Sequence, residues 1–399
     1  MLIKYTHGKI ALLFCLMQVL LSTVNEILPY SPQRVIIFLF VLFECIYTFL
    51  VRRQTRPSWF CYMIFWGTVS VFCILCGSNM MEDLTDSVYM ITTILILELM
   101  QDPDVMDQVA DFASESRQKI LLILWLSLLV IGISVFYPDG YEADGSFRGF
   151  MYGSHSMAST VIVIMSIVVL CIDARGGRIR HFFCSETLIM GLSFMIIVYT
   201  RGRTFLVPAA VLLWRYLKSL PFVKYQKTIV AIFISACVTI LFWNQIIEKF
   251  IETFNNPYAK NTMAAITNFR SELWACDFEH FITQSPLRMI FGNGFSFVRQ
   301  LHEDQLYARL WSHNDFTYLL IGTGITGLGV YFSALTRSAG QFRRRKGSIV
   351  YFFAMVIFPM LINGFYIYIH LVWAYFAVFA AQHARDRLLN MKGAANDNV

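Results

Sequence analysis

The sequence predicts an all-α polytopic membrane helix bundle, with about twelve transmembrane helices and one large outer loop. Three observations carry this. The 399 residues are 57% hydrophobic and only 15% charged, with a mean hydropathy of +0.57, whereas soluble domains carry roughly 25% charged residues. Apolar stretches approaching the ~20 residues needed to cross a bilayer recur from one end to the other. The basic residues also sort to one side when those stretches are alternated. A soluble chain of this length would form two or three domains, each needing polar surface that this composition cannot supply. The net charge of +6 does not call for a nucleic acid, because Lys and Arg gather at membrane surfaces for topological reasons.

Taken in order, the spans fall at 10–29, 34–51, 58–77, 86–101, 118–137, 150–172, 184–200, 204–219, 228–245, 315–336, 349–364 and 365–383, within a single membrane domain over 1–399. Lys4 and Lys9 precede the first stretch, which has no small-x-small cleavage pattern and so reads as a retained helix. The fourth span is short and follows MEDLTDS, so a re-entrant segment is an alternative to a full crossing. The last two are separated only by NGFY, which leaves 365–383 equally open.

With both termini inside, the inner loops hold 22 of the 32 basic residues, including Arg175, Arg178, Arg215, Lys218 and Arg385. Removing one span would put the RRRK run at 343–346 outside, against the retention of positive charge on the cytoplasmic side. Nine cysteines lie mostly inside apolar runs. Cys73 and Cys76 have CxxC spacing but sit at bilayer depth without further ligands, so they read as packing. Cys276 is alone in the large loop.

The outer side holds the other ten basic residues, eight of them arginine. Arginine's planar fork makes two parallel bonds to phosphate oxygens, so a cluster of outer arginines suits a diphosphate. Arg201 and Arg203 share a very short outer turn in IVYTRGRTFLVP. The large loop, 246–313 between spans nine and ten, contains AAITNFRSELWACDFEHFI, where Ile266, Phe269, Leu273 and Trp274 recur at helical spacing around Arg270. After Pro286, Gly292 and Gly294 bracket Asn293 in a predicted tight turn. His313 and Asn314 stand where the loop meets span ten, whose Gly322, Gly324, Gly327 and Gly329 allow close helix contact. A histidine just outside the membrane suits a general base near neutral pH, although helix capping is the plainer reading. Asp277 and Glu279, two apart on a helix, face different ways and form no metal pair. Chemistry without a metal or cofactor is expected, with arginines in the cation's role.

TRGR at 200–203, RSELW at 270–274, PLRMIFGNG at 286–294, HN at 313–314 followed by GITG at 324–327, and FRGFMYGSHSMAST at 147–160 resemble motifs of the O-antigen ligase and O-antigen polymerase (Wzy) superfamily, in that family's order. The resemblance implies a bacterial inner-membrane enzyme acting at the periplasmic face, with a metal-independent inverting glycosyl transfer from undecaprenyl-diphosphate-linked glycans. On that basis Arg201, Arg203, Arg270 and Arg288 would bind the diphosphate and His313 would serve the acceptor hydroxyl, with Arg148 and Asn314 accessory. Polymerisation of lipid-linked repeat units is the first expectation, with a chain-length regulator as partner. Ligation to a lipid A–core acceptor is the alternative. A lipid-linked glycan transporter is a third reading, disfavoured by the few charges within the spans and the lack of an internal repeat.

Overall fold

The structure, a computed structural model, describes residues 6–28, 31–50, 57–179, 184–223, 269–343 and 348–396, with isolated positions between 226 and 267. The expected span 228–245 and most of the following loop up to 268 lie outside the described residues. Within them the chain is helical, with no strand and a single bridge between Tyr141 and Phe147.

The first helices are α1 (His7–Ser22), α2 (Pro32–Leu50), α3 (Pro57–Cys76), α4 (Met80–Leu99), α5 (Pro103–Glu115) and α6 (Arg117–Ser134). The central group is α7 (Ser154–Asp173), α8 (Ser185–Tyr199) and α9 (Arg203–Ser219). The loop helices α10 (Arg270–Thr283), α11 (Pro286–Phe291) and α12 (Phe295–Leu306) follow. The chain ends with α13 (Asp315–Arg343), α14 (Ser348–Ile362, including a π-helical turn) and α15 (Ile369–Asn396). Among the described residues three helices are long and apolar enough to cross a membrane: α6, α7 and the Asp315–Gly340 part of α13. Four further apolar helices are shorter: His7–Ser22, Ile64–Cys76, Ser185–Tyr199 and Ser348–Ile362.

Helix α7 is the axis of the bundle. Its run MASTVIVIMSIVVLCI has no polar face, and 89% of its apolar window is buried, as expected for a helix surrounded by other helices. It packs along α15, α8 and α9.

Helices α1, α4, α13 and α15 differ in their bounds from the expected spans, and α5 is not among those spans. Helix α4 begins at Met80, because Asn79 caps the backbone N–H groups of Met81 and Glu82. The acidic first turn is used rather than solvated. Asp83 Oδ1 accepts from the N–H groups of Phe295 (2.5 Å) and Ser296 (3.1 Å), and Asp86 Oδ2 accepts from Arg299 (2.8 Å) and Tyr318 (2.6 Å). These bonds pin α12 to the bundle. The connector between the fourth and fifth spans is itself a helix, α5, capped by Asp102 with Pro103 in the first turn. Its Val105, Met106, Val109, Ala110 and Ala113 form one buried stripe.

Helix α13 is interrupted at Gly324 (φ 69°, ψ −174°), a region of backbone space open essentially to glycine alone. The interruption frees the carbonyls of Ile321 and Gly322. They accept from the N–H groups of Asn293 and Gly294, each at 2.9 Å. The GNG turn therefore docks backbone-to-backbone into the break. A Cβ at residue 324 would lie 2.3 Å from the Ile290 carbonyl oxygen. Gly324→Ala combines backbone strain of about 1–3 kcal/mol with overpacking of similar size. It is expected to cost most of the yield of monodisperse protein on size-exclusion chromatography, and wild-type yield and melting temperature would refute this account.

At the start of α13, buried Asp315 Oδ2 accepts from the backbone N–H groups of Phe365 (2.8 Å) and Tyr366 (3.2 Å). This bond holds the α14–α15 link, residues 363–368, against the entrance of α13, beside His313.

Candidate functional site

A cleft of about 470 Å³ opens where the first turns of α7, α9 and α10 meet the end of α14. Arg201, Arg203 and Arg270 all line it, with His155, Trp274, Glu142 and Asp144. Each arginine is delivered by local chain chemistry. Arg201 stands in the left-handed region (φ 55°) at the tight TRGR turn, and its guanidinium donates to the Asp144 carbonyl. Arg203 is exposed and opens α9. Arg270 opens α10 after Phe269, which at φ 68° prevents the expected AAITNFRSELW helix from running through unbroken. The Ile266 end of that expected helix lies outside the described residues.

Arg270 is the most constrained of the three. Its Nη1 donates to the Ile362 carbonyl at the C-terminus of α14 (2.6 Å), and its Nη2 donates to Asn363 Oδ1 (3.3 Å). A guanidinium carries five N–H donors, so further donors remain for a ligand. Burial, and then the positive charge of Arg203, lower its pKa, while Tyr368 acts the other way. A cation held in this setting gains from an anion beside it.

His313 reaches the same asparagine, its Nδ1 lying 3.3 Å from Asn363 Oδ1. Arginine can only donate, so the asparagine atom it meets is the oxygen. Nδ1 of His313 must then also donate, which leaves the lone pair on Nε2. Burial first, then Arg270, push the His313 pKa down to about 3. The ring is therefore neutral across the physiological range. Trp311 packs at 4.7 Å between ring centroids, and His155 stacks on Tyr368 at 6.1 Å.

The remaining sequence candidates sit elsewhere. Arg288, on α11, lies over the Phe72 ring at 5.7 Å and donates to the Gly292 carbonyl. It braces the GNG turn rather than lining the cleft. Arg148 pairs with Glu26 (3.2 Å) and donates to the Asp139 carbonyl (2.9 Å). Asn314 caps α13, accepting from Phe316 N–H (2.8 Å) and donating to the Leu361 carbonyl (3.0 Å). It is one position from His313 and holds the histidine's backbone in place.

Sequence reasoning missed Glu142, Asp144 and Asn363, and read Trp274 only as part of an apolar helix face. Glu142 Oε1 accepts from the N–H of Ser154 at 2.6 Å, a carboxylate on the N-terminus of α7, where the helix dipole favours it. Only the spacing Glu142–Ser154 across a turn could have hinted at it, and that spacing has no helical or strand period. Trp274 Nε1 donates to the Ser312 carbonyl (2.8 Å), tying α10 to the residue before His313. Among the described residues no cluster of His, Cys, Asp and Glu has the arrangement of a metal site.

No protein-family model matches this chain, and no curated protein matches it.

Proposed function

We propose that the protein is a membrane glycosyltransferase that polymerises undecaprenyl-diphosphate-linked oligosaccharide repeat units at the periplasmic face of a bacterial inner membrane. The observation that carries this reading is the cleft in which Arg201, Arg203 and Arg270 converge beside a neutral His313 sharing Asn363 with Arg270. In the proposed topology the chain has about twelve spans, both termini are cytoplasmic, and the cleft faces the periplasm. The motif resemblance and the sorting of basic residues support this topology.

The proposed reaction breaks the anomeric carbon–oxygen bond to the diphosphate and forms a new bond from an acceptor hydroxyl on the opposite face of the sugar. The leaving group departs as the lipid diphosphate. Three guanidiniums balance its charge, the role a divalent cation plays elsewhere. Nε2 of His313 accepts the hydroxyl proton. A pKa near 3 makes the free enzyme's imidazole a weak base, but an anion bound at Arg270 raises it. The base is thus strengthened when donor substrate is present. Ligation to lipid A–core uses the same machinery with another acceptor. Polymerisation is preferred because that group is the larger and more varied.

The interruption of α13 favours a second reading, a transporter, since transporters build their sites on broken helices. Against it, the freed carbonyls at Ile321 and Gly322 are already taken by the backbone of the GNG turn.

The test is the glycan profile of cells in which only a variant chain is present. Loss of polymerase leaves single capped repeats, loss of ligase leaves unattached polymer, and loss of a flippase leaves lipid-linked units on the cytoplasmic side. Normal long-chain product from both Arg270→Ala and His313→Ala at wild-type protein levels would exclude the catalytic reading. Arg288→Ala serves as the internal contrast. Its side chain is outside the cleft, so activity is expected to stay within about twofold of wild type, as for substitutions away from a site. A loss as deep as that of Arg270→Ala would return Arg288 to the diphosphate site.

A further inference from the structure

A second basic cleft, of about 460 Å³, lies at the other ends of the helices that build the first. Arg178, Arg215, Lys218 and Arg385 line it beside Leu388 and Leu389, and none of its described lining residues is acidic. The three carriers are the turn after α7, the last turn of α9, and α15. The first cleft takes Ser154 and His155 from the start of α7 and Arg203 from the start of α9. Helix α7 has 20 residues, which at about 1.5 Å per residue span ~30 Å, the thickness of a hydrocarbon core. The two clefts therefore lie at opposite membrane surfaces. This depends on α7 crossing the membrane and not on the glycosyl-transfer reading.

Inner loops are expected to be basic on topological grounds, but that alone does not bring distant arginines into one concavity. Arg215 is buried and committed, its guanidinium paired with Asp173. Lys218 lies over the Trp214 ring at 5.1 Å. Arg178 and Arg385 are exposed, come from parts of the chain about two hundred residues apart, and make no salt bridge with a residue of the cleft lining; the Asp173 carboxylate, paired with Arg215, also attracts Arg385. A hollow of about 270 Å³ shares Arg178 with the cleft and adds Arg175, and its one acidic lining residue, Glu186, is paired with Arg117. Backbone geometry keeps the floor open: Gly177 has φ 71°, and a Cβ there would lie 3.3 Å from both Arg215 Nη2 and Asp173 Oδ1. Leu389, 55% exposed, supplies an apolar lip beside the cations. A cationic floor with an apolar lip at a membrane surface fits an amphiphile with an anionic head.

We propose that this cleft binds a phosphate group, that of an anionic phospholipid of the cytoplasmic leaflet, with Arg178 and Arg385 as its principal ligands. The full-length protein is purified in zwitterionic detergent, and thermal unfolding is followed with added phosphatidylglycerol, phosphatidylcholine or inorganic phosphate. Phosphatidylglycerol is expected to raise the melting temperature of the wild type, while phosphatidylcholine does not. Each arginine near an anionic surface is worth about fivefold in affinity, so the half-saturating phosphatidylglycerol fraction rises roughly 30-fold in R178A/R385A. R178K/R385K, which keeps the charge, is expected to retain most of the shift. Both positions are exposed, so an unchanged melting temperature in phosphatidylcholine verifies that the variants are folded. If inorganic phosphate alone reproduces the whole shift, and the shift is lost in R178A/R385A, the same site takes a soluble phosphate and the lipid source is wrong. An equal phosphatidylglycerol shift in wild type and R178A/R385A, or no shift in the wild type with either anion, overturns the proposal. Neither result bears on the glycan profile of Arg270 or His313 variants, so the two readings fail separately.

Discussion

Arg270→Ala is expected to lower glycosyl transfer by roughly 10²–10³-fold, the loss that follows removal of one donor aimed at charge developing in a transition state. Transfer is measured in membranes from a lipid-linked donor, with protein level checked by immunoblot. Arg270 carries the largest expected effect because it is the arginine that joins the two halves of the cleft. Arg201 and Arg203 approach from one short turn and can partly substitute for each other as cations. Arg270 bonds both the α14 end at Ile362 and the asparagine that also meets His313. Its removal therefore takes a positive charge from the proposed diphosphate site and a hydrogen bond from Asn363.

The same bonds give Arg270 a structural share. Hydrogen bonds to a charged donor contribute about 1.5–3 kcal/mol, so some loss of stability accompanies the substitution. Arg270→Lys separates the two effects. Lysine keeps the charge but, as a compact point charge, cannot hold the Ile362 carbonyl, Asn363 and a phosphate oxygen in one plane. It is expected to restore folded protein while recovering only a small part of the activity. If lysine restores transfer completely, the fork geometry is irrelevant and Arg270 acts only as a charge. Normal transfer by the alanine variant at wild-type abundance would remove Arg270 from the diphosphate site.

What could be read from the sequence divides along a physical line. Features set by the neighbours of one residue were legible: the Arg201–Arg203 turn, the GNG turn with two glycines at positive φ, and His313 and Asn314 at the mouth of α13. Each depends on a local backbone requirement that a short motif records. The apolar character of α6, α7 and α13 was equally legible, because a surrounding of lipid or helices leaves no need for a polar face.

The partners of those residues were not legible. Asn363 lies fifty positions from His313, in the link between α14 and α15 that hydropathy leaves least defined. Arg288 occurs in the same basic outer set as Arg270, yet its helix is held by the break in α13 and turns the side chain onto Phe72. Charge and side of the membrane are properties of a loop. Which arginine enters a cleft depends on helix packing among elements far apart in the chain. Asp83 and Asp86 make the same point: a sequence reading treats them as a polar lead-in to a span, whereas they become buried acceptors once α12 supplies donors.

Changing His313 tests whether a neutral ring is used. His313→Ala is expected to reduce transfer by about 10²–10⁴-fold, the usual contribution of positioned proton transfer. The pH profile discriminates this from a packing role. With the free enzyme's pKa near 3, the apparent second-order rate should stay flat from pH 8 down to about 5, where an ordinary histidine with a pKa near 6.5 would have lost most of its base form. On the proposed reaction, a diphosphate bound at saturating donor would raise that pKa, so the acid limb of the turnover rate should lie at higher pH than that of the second-order rate. The stability consequence has a fixed sign. The unfolded chain takes up a proton near pH 6.5 and the folded chain only near pH 3, so stability is full above 6.5 and falls as the pH drops towards 3. His313→Gln removes the titrating group and should flatten that part of the stability profile. Arg270→Ala removes the neighbouring charge that helps depress the ring, so the acid limb of its residual activity should move up towards 6.5. A profile for Arg270→Ala identical to that of the wild type would mean that the two residues are not electrostatically coupled, and the shared asparagine would then be a packing contact only.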